Sequence, residues 1–157
     1  MAVTVRPAIK TDAQVIVDLI YDLAVYEKLE EYAVATRQNI EETLFNESPK
    51  AFALLAQVND RIAGMALYFF NYSTFQGKHG IYLEDLFVKP EFRSQKIGLA
   101  LFKALGQAAK ENDCGRIDWS VLDWNQLAID FYHKLGAKPQ SGWTGYRLDG
   151  EALAALK

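Results

Sequence analysis

Two rhythms of apolar residues alternate along this chain, one of strand period and one of helix period. Thr4 to Arg6 reads as a short first strand closed by Pro7. Thr11-Asp12-Ala13-Gln14 has the spacing of a capping box, and Val15, Leu19, Ile20, Leu23 and Ala24 follow at helical spacing. Thr36 is placed to cap a second helix carrying Ile40, Leu44 and Phe45, stopped by Ser48-Pro49. Ala51 to Val58 and Arg61 to Phe70 are strand-like runs joined at Asn59-Asp60, a tight-turn dipeptide that predicts an antiparallel hairpin, with Gly64 marking a bulge. Asn71 to Lys78 reads as a polar-aromatic loop. Tyr82 to Val88 is strand again and stops at Lys89-Pro90, because proline supplies no ladder N–H.

From Gly98 onward Leu101, Phe102, Leu105 and Ala109 return to helical spacing, with Lys103, Gln107 and Lys110 on the other side. Asp113 to Gly115 ends that helix. Arg116 to Leu122 alternates as a strand, and Asp123-Trp124-Asn125 turns into a helix carrying Ala128, Phe131, Tyr132 and Leu135, with Gly136 as its C-cap. Trp143 to Leu148 reads as a last strand and Glu151 to Leu156 as a short terminal helix. The order β-α-α-β-β-β-α-β-α-β predicts a mixed sheet flanked by helices, with a parallel crossover over Tyr82 to Leu122. The polar turn Arg93 to Ile97 then feeds a helix N-terminus, whose unpaired amides suit a phosphate or pyrophosphate; an ordinary strand-to-helix connection with a solvated basic turn is the alternative.

Composition narrows the classes. At 157 residues and 50% hydrophobic, the chain is expected to form a single domain, 1–157, with a packed core and no disorder. A net charge of −3 argues against a general nucleic-acid binder, which needs a basic face. The longest apolar run, Met65 to Phe70, is too short to span a bilayer, and no signal-peptide core precedes Pro7. Cys114 stands alone, which excludes an internal disulfide. These features predict a cytoplasmic protein with no membrane partner. His79 and His133 have no metal-ligand spacing, so no metal is expected.

Four groups of residues together carry a resemblance: Leu83-Glu84-Asp85-Leu86-Phe87-Val88, Arg93-x-x-x-x-Gly98, Trp124-Asn125, and Phe131-Tyr132 with Gly136-Ala137. This ordered set resembles the GNAT superfamily of acetyl-CoA-dependent N-acetyltransferases. The segments Tyr26-Glu27-x-x-Glu30-Glu31 and Tyr68-Phe69-x-x-Tyr72 make it most similar to the spermidine/spermine (diamine) and thialysine branch. The resemblance implies the α/β (α+β) GNAT fold, a mixed, mostly antiparallel six- to seven-stranded central sheet flanked by helices. It also implies acetyl-CoA as co-substrate, a small amine as acceptor and a homodimer. The family's turn pattern is Arg/Gln-x-x-Gly-x-Gly/Ala; here Lys96 stands at the first glycine, where it either crowds a diphosphate or adds a cation beside it.

Acetyl transfer to an amine requires a held donor, a neutral amine, stabilisation of the oxyanion and a proton for the departing thiolate. By resemblance, the main chain of Leu86, Phe87 and Val88 pairs with the pantetheine arm, with an oxyanion donor near Phe87. Arg93, Ser94, Gln95, Lys96, Ile97, Gly98 and Leu99 hold the pyrophosphate, and Asn125, Phe131 and Tyr132 contact the coenzyme. An alkyl ammonium has pKa ~10.4, so only about one in a few thousand is neutral at neutral pH, and a base is useful. Glu84 is the candidate base, and alternation is expected to send it and Asp85 to opposite faces. Tyr132 is the candidate acid. Glu27, Glu30, Glu84, Asp85 and Tyr146 are the candidate acceptor-binding residues. A polyamine or diamine is the expected acceptor; the polyamine branch carries tryptophan at the position of Tyr146, and thialysine or another lysine-like amino acid is the alternative. A non-catalytic acyl-CoA-binding module is the remaining alternative.

Overall fold

A computed structural model describes residues 2–156. The chain divides into two compact units, Met1–Ser120 and Val121–Lys157.

The first unit is a five-stranded sheet in sequence order. Its strands are β1 (Val3–Pro7), β2 (Phe52–Val58), β3 (Arg61–Ser73), β4 (Lys78–Val88) and β5 (Ile117–Asp118), antiparallel except for the parallel β4–β5 pair. Its helices are α1 (Ala13–Tyr26), α2 (Arg37–Leu44) and α3 (Ile97–Glu111). Because helices cover both faces, β2 is apolar without alternation. Leu54, Ala56 and Val58 pack with Ile97, Leu101 and Leu105 of α3, while Ala53 and Leu55 pack with Ile16, Leu19 and Leu23 of α1 and Ile40 and Leu44 of α2.

The local signals act largely as the sequence predicts. Asn59 and Asp60 both adopt positive φ, 51° and 64°, as the tight hairpin turn demands. Thr36 Oγ1 accepts from the Asn39 amide at 3.1 Å, and Asn39 Oδ1 accepts from the Thr36 amide at 2.9 Å, a reciprocal cap for α2. The expected Thr11 cap does not form. A 3-10 turn, Lys10–Asp12, precedes α1, and Asp12 accepts from the Ile9 amide at 2.8 Å and from both terminal nitrogens of Arg6 at 2.8 and 3.0 Å. The Arg6 hydrogen bond holds the Asp12 carboxyl below its usual range.

Three boundaries differ from expectation. β3 continues to Ser73 and β4 begins at Lys78, so half of the expected 71–78 loop is ladder and only 74–77 turn; Tyr72 stacks edge-on against His79 at 5.0 Å between ring centroids. Arg116 to Leu122 is laddered only at Ile117 and Asp118. Trp143 to Leu148 joins no strand, so the described sheet has five strands rather than six or seven.

The second unit contains α4 (Gln126–Lys134) and α5 (Gly150–Ala154). Gly136, at φ +89°, ends α4. Its amide donates to the His133 carbonyl and the Ala137 amide to that of Tyr132, the paired bonds of a Schellman stop. Among the described residues no helix is long and apolar enough to cross a membrane.

Candidate functional site

The site in the first unit is organised by an irregularity in β4. The β3–β4 register pairs Tyr68 with Leu83 and Leu67 with Asp85, so Glu84 is the extra residue of a bulge. Before it, Ile81 and Leu83 face the α3 core; after it Leu86 and Val88 take over that face and Phe87 packs with α1 and α2. Asp85 shares the register of Phe87, opposite Leu67, and so turns towards the α1 side. The expected separation of Glu84 and Asp85 onto opposite faces therefore fails, because the extra residue removes the alternation step between them.

Asp85 is the perturbed carboxyl of this cluster. Burial, then the charges of Glu84 and Glu27, push its pKa up to about 6. Glu27 caps the C-terminal end of α1, and burial raises its own pKa. Of the acidic residues named for the acceptor, Glu27, Glu84 and Asp85 thus form one electrostatic cluster. Glu30 lies in an exposed 3-10 turn, Glu30–Tyr32.

A free strand edge lies on the other side of the bulged segment. β5 pairs with β4 only at Ile81 and Tyr82, so from Leu83 to Val88 that side of β4 has no strand partner among the described residues. An extended, amide-bearing arm fits such an edge as an added strand. Gly64 holds the other side close: a Cβ there would stand 2.5 Å from the Phe87 carbonyl oxygen.

Beyond Pro90–Phe92 the chain turns through two left-handed residues, Ser94 at φ +65° and Lys96 at φ +61°. Lys96 is the N-cap of α3 and makes no side-chain cap bond, since an ammonium cannot accept. The first-turn amides of Ile97, Gly98 and Leu99 are left without a cap acceptor, which fits a diphosphate placed there. The left-handed backbone also explains why family members favour glycine at the Lys96 position. Arg93 does not simply project as a free cation: its guanidinium carbon lies 4.9 Å from the Tyr26 ring centroid. That contact ties the turn to the end of α1 next to Glu27. Sequence reasoning missed it, although Tyr26 stood in view beside Glu27.

In the second unit, Asn125 is buried and caps α4, its Oδ1 accepting from the Ala128 amide at 3.3 Å. Tyr132 and Phe131 lie on α4 with ring centroids 5.8 Å apart. Tyr146 is 95% exposed and belongs to no strand. A separate cavity of about 310 Å³ lies along the outer flank of α1, lined by Val17, Asp18, Tyr21, Ala33 and Ala35, and contains none of the candidate residues.

Residues 18–137 match the acetyltransferase (GNAT) family. The chain is 36% identical over 165 residues to a bovine thialysine N-epsilon-acetyltransferase, covering 98% of this chain and 96% of the relative. It is 31% identical to a human spermidine/spermine N(1)-acetyltransferase-like protein 1, covering 95% of this chain but 23% of that protein. An integron cassette protein from the mobile metagenome of V. cholerae superposes with a TM-score of 0.82 at 28% identity, over 99% of this chain and 98% of that one. A bulged strand with an open edge, an uncapped helix start after a left-handed turn, and a match across most of the length lead to one conclusion: this chain belongs to the GNAT acetyltransferase family and is an N-acetyltransferase.

Proposed function

We propose that the whole chain acts as one cytoplasmic N-acetyltransferase domain that moves an acetyl group from acetyl-CoA directly to a primary amine of a small cationic acceptor. The observation that carries this reading is the acidic cluster of Glu27, Glu84 and Asp85 beside an open strand edge. Acetyl-CoA supplies an activated thioester. The main chain of Leu86 to Val88 holds its arm, and the amides of Ile97 to Leu99 hold its diphosphate with Lys96 as a neighbouring cation. Ser94 and Gln95 shape the turn, and Arg93 steadies it against Tyr26. An amide near Phe87 donates to the carbonyl oxygen that gains charge.

On the acceptor side, Glu27 and Asp85 attract the ammonium group and Glu84, at the bulge, takes its proton through water. Asp85, with a pKa of about 6, is mostly ionised at neutral pH and still close enough to titrate in the working range. Tyr132 gives a proton to the departing thiolate; a phenol of pKa ~10 donating to a thiolate whose acid has pKa ~8.5 is only modestly uphill. Asn125 and Phe131 complete the coenzyme contacts.

For the acceptor itself, a lysine-like amino acid such as thialysine is the first reading, supported by a relative matched nearly end to end. A polyamine or diamine is the second, supported by the human relative matched over a minor part of its length. Initial rates with acetyl-CoA over thialysine, lysine, ornithine, spermidine and putrescine test both. A preference for α-amino acids supports the first, a preference for polyamines selects the second, and inertness towards every amine overturns the enzymatic reading.

A further inference from the structure

The turn assigned to the diphosphate is a short bridge between two buried anchors. Phe92 before it and Ile97 after it both lie in the core beside α3. Arg61 stacks on the first anchor, its guanidinium carbon 4.8 Å from the Phe92 ring centroid. Between the anchors, Ser94 and Lys96 hold left-handed backbone, a conformation that residues with a Cβ adopt at a cost. Arg93 opens the bridge, and its guanidinium carbon stands 4.9 Å from the Tyr26 ring centroid. Among the described residues it pairs with no carboxylate. A guanidinium that stacks through its face keeps its edge N–H donors for an oxyanion, so Arg93 can serve ring and phosphate together.

Tyr26 is equally well placed on the acceptor side. It is the last residue of α1 and packs against the core cluster of that helix. Glu27 follows as the C-cap, its amide donating to the Leu23 carbonyl at 2.9 Å. The helix stops there: Lys28 turns left-handed at φ +62°, its amide donates to the Val25 carbonyl at 3.1 Å, and the Leu29 amide donates to the Ala24 carbonyl at 2.8 Å. A stop bonded this closely moves as one piece, so whatever fixes the Tyr26 ring fixes Glu27 beside it. Glu27 in turn is one of the charges felt at Asp85. One aromatic ring thus stands between the arginine that opens the turn and a carboxylate of the acidic cluster.

We propose that Tyr26 is a positioning residue through which coenzyme and acceptor strengthen each other's binding. A diphosphate on the turn holds the edge of Arg93, the face of Arg93 holds the Tyr26 ring, and the end of α1 then presents Glu27 to the ammonium group. Linkage makes the effect reciprocal: the factor by which coenzyme raises amine affinity equals the factor by which amine raises coenzyme affinity. A cation–π contact at a partly exposed place gives that factor a size of about two to five. This role rests on the acetyl-transfer reading, which puts coenzyme on the turn, and adds to it a coupling of the two sites.

Calorimetry on the full-length chain reads the coupling. The probes are coenzyme A, which has the diphosphate but no acetyl group to transfer, and whichever of thialysine, lysine, ornithine, spermidine and putrescine reacts fastest with acetyl-CoA. In wild type each ligand is expected to bind about two- to fivefold tighter when the other is present. Tyr26→Leu is expected to reduce that factor to about one, while each ligand alone binds within about twofold of its wild-type affinity. In rate measurements at saturating acetyl-CoA, the same variant is expected to raise the amine KM and keep kcat. Tyr26→Phe retains the ring and is expected to retain the coupling. A trifluorinated phenylalanine at position 26 has nearly the same shape but an electron-poor face, and is expected to lose it. Ligands that bind wild type independently overturn the role, and so does coupling that survives in Tyr26→Leu or in the fluorinated protein. Coupling lost in Tyr26→Phe overturns it too, because the phenol and not the ring face then carries the effect. Coenzyme A that does not bind at all overturns the acetyl-transfer reading and this role with it, a result the single-ligand titration gives before any coupling is read. The fluorinated protein decides the matter even where Tyr26→Leu fails to fold.

Discussion

Replacing Asp85 by Asn removes a negative charge from a half-buried place while keeping the shape of the side chain. Asp85 is raised from 3.8 to about 6, chiefly by burial and then by Glu84 and Glu27. A rise of about two units corresponds to about 3 kcal/mol by which the folded protein resists ionisation of this group. A carboxyl with a raised folded pKa binds its proton more tightly in the native state, so it favours folding only while protonated. Stability therefore falls as pH rises from about 4 to about 6, and the whole penalty is present above that window. Asp12 has the opposite sign: its lowered pKa adds stability that is lost in acid. Both proteins share Asp12, so it cancels in the difference between them. Urea unfolding of wild type and Asp85→Asn across this range is the assay. The variant is expected to be more stable by about 3 kcal/mol near pH 8, with the gap closing towards pH 4. Its kcat/KM for cationic acceptors is expected to fall at the same time, the usual exchange between stability and function at a strained site. A variant less stable than wild type at about pH 8, or a gap that does not change with pH, refutes the placement of an ionised Asp85 in this cluster.

Four further outcomes are expected. Tyr132→Phe lowers kcat while leaving coenzyme affinity, read by calorimetry, unchanged; an unaltered kcat removes its acid role. Lys96→Gly relieves a left-handed lysine at φ +61° and is expected to raise stability by about 1 kcal/mol in urea, while loss of the cation beside the diphosphate weakens coenzyme binding. Gly64→Ala drives a Cβ to 2.5 Å from the Phe87 carbonyl oxygen and is expected to cost about 1–3 kcal/mol of stability and weaken coenzyme binding at the neighbouring strand edge. A double-mutant cycle of Arg93→Ala with Tyr26→Leu is expected to show a stability coupling of about 0.5–1 kcal/mol, and strict additivity would dissolve the link between turn and helix.

Local chemistry was legible in the sequence wherever neighbours along the chain decide it. Thr36 with Asn39, the Asn59-Asp60 turn and Gly136 each act within a few residues, and all three do in the structure what their residue types require. The Lys89-Pro90 stop and the helix after Gly98 were fixed in the same way. The main-chain candidates at Leu86 to Val88 and Ile97 to Leu99 follow from that strand, turn and helix order, so their positions along the chain were legible too.

Other features depend on groups far apart in sequence. Alternation counts every residue equally, so it could not reveal that Glu84 has no partner in β3; only the register across two strands exposes the bulge. The raised pKa of Asp85 depends on burial and, after Glu84, on Glu27 at the end of α1, and a linear pattern contains neither the burial nor the approach of Glu27. The stacking of Arg93 on Tyr26 joins elements separated by most of the sheet. Conversely, Trp143 to Leu148 has every local mark of a strand and forms none, because a strand is made by its neighbour and not by its own residues. The sequence by itself determined which segments turn, cap and coil, since those are short-range balances of sterics and hydrogen bonds. Tertiary structure alone decided which carboxylates meet, which strand edge stays open and which aromatic receives the arginine, since these depend on distances that folding sets.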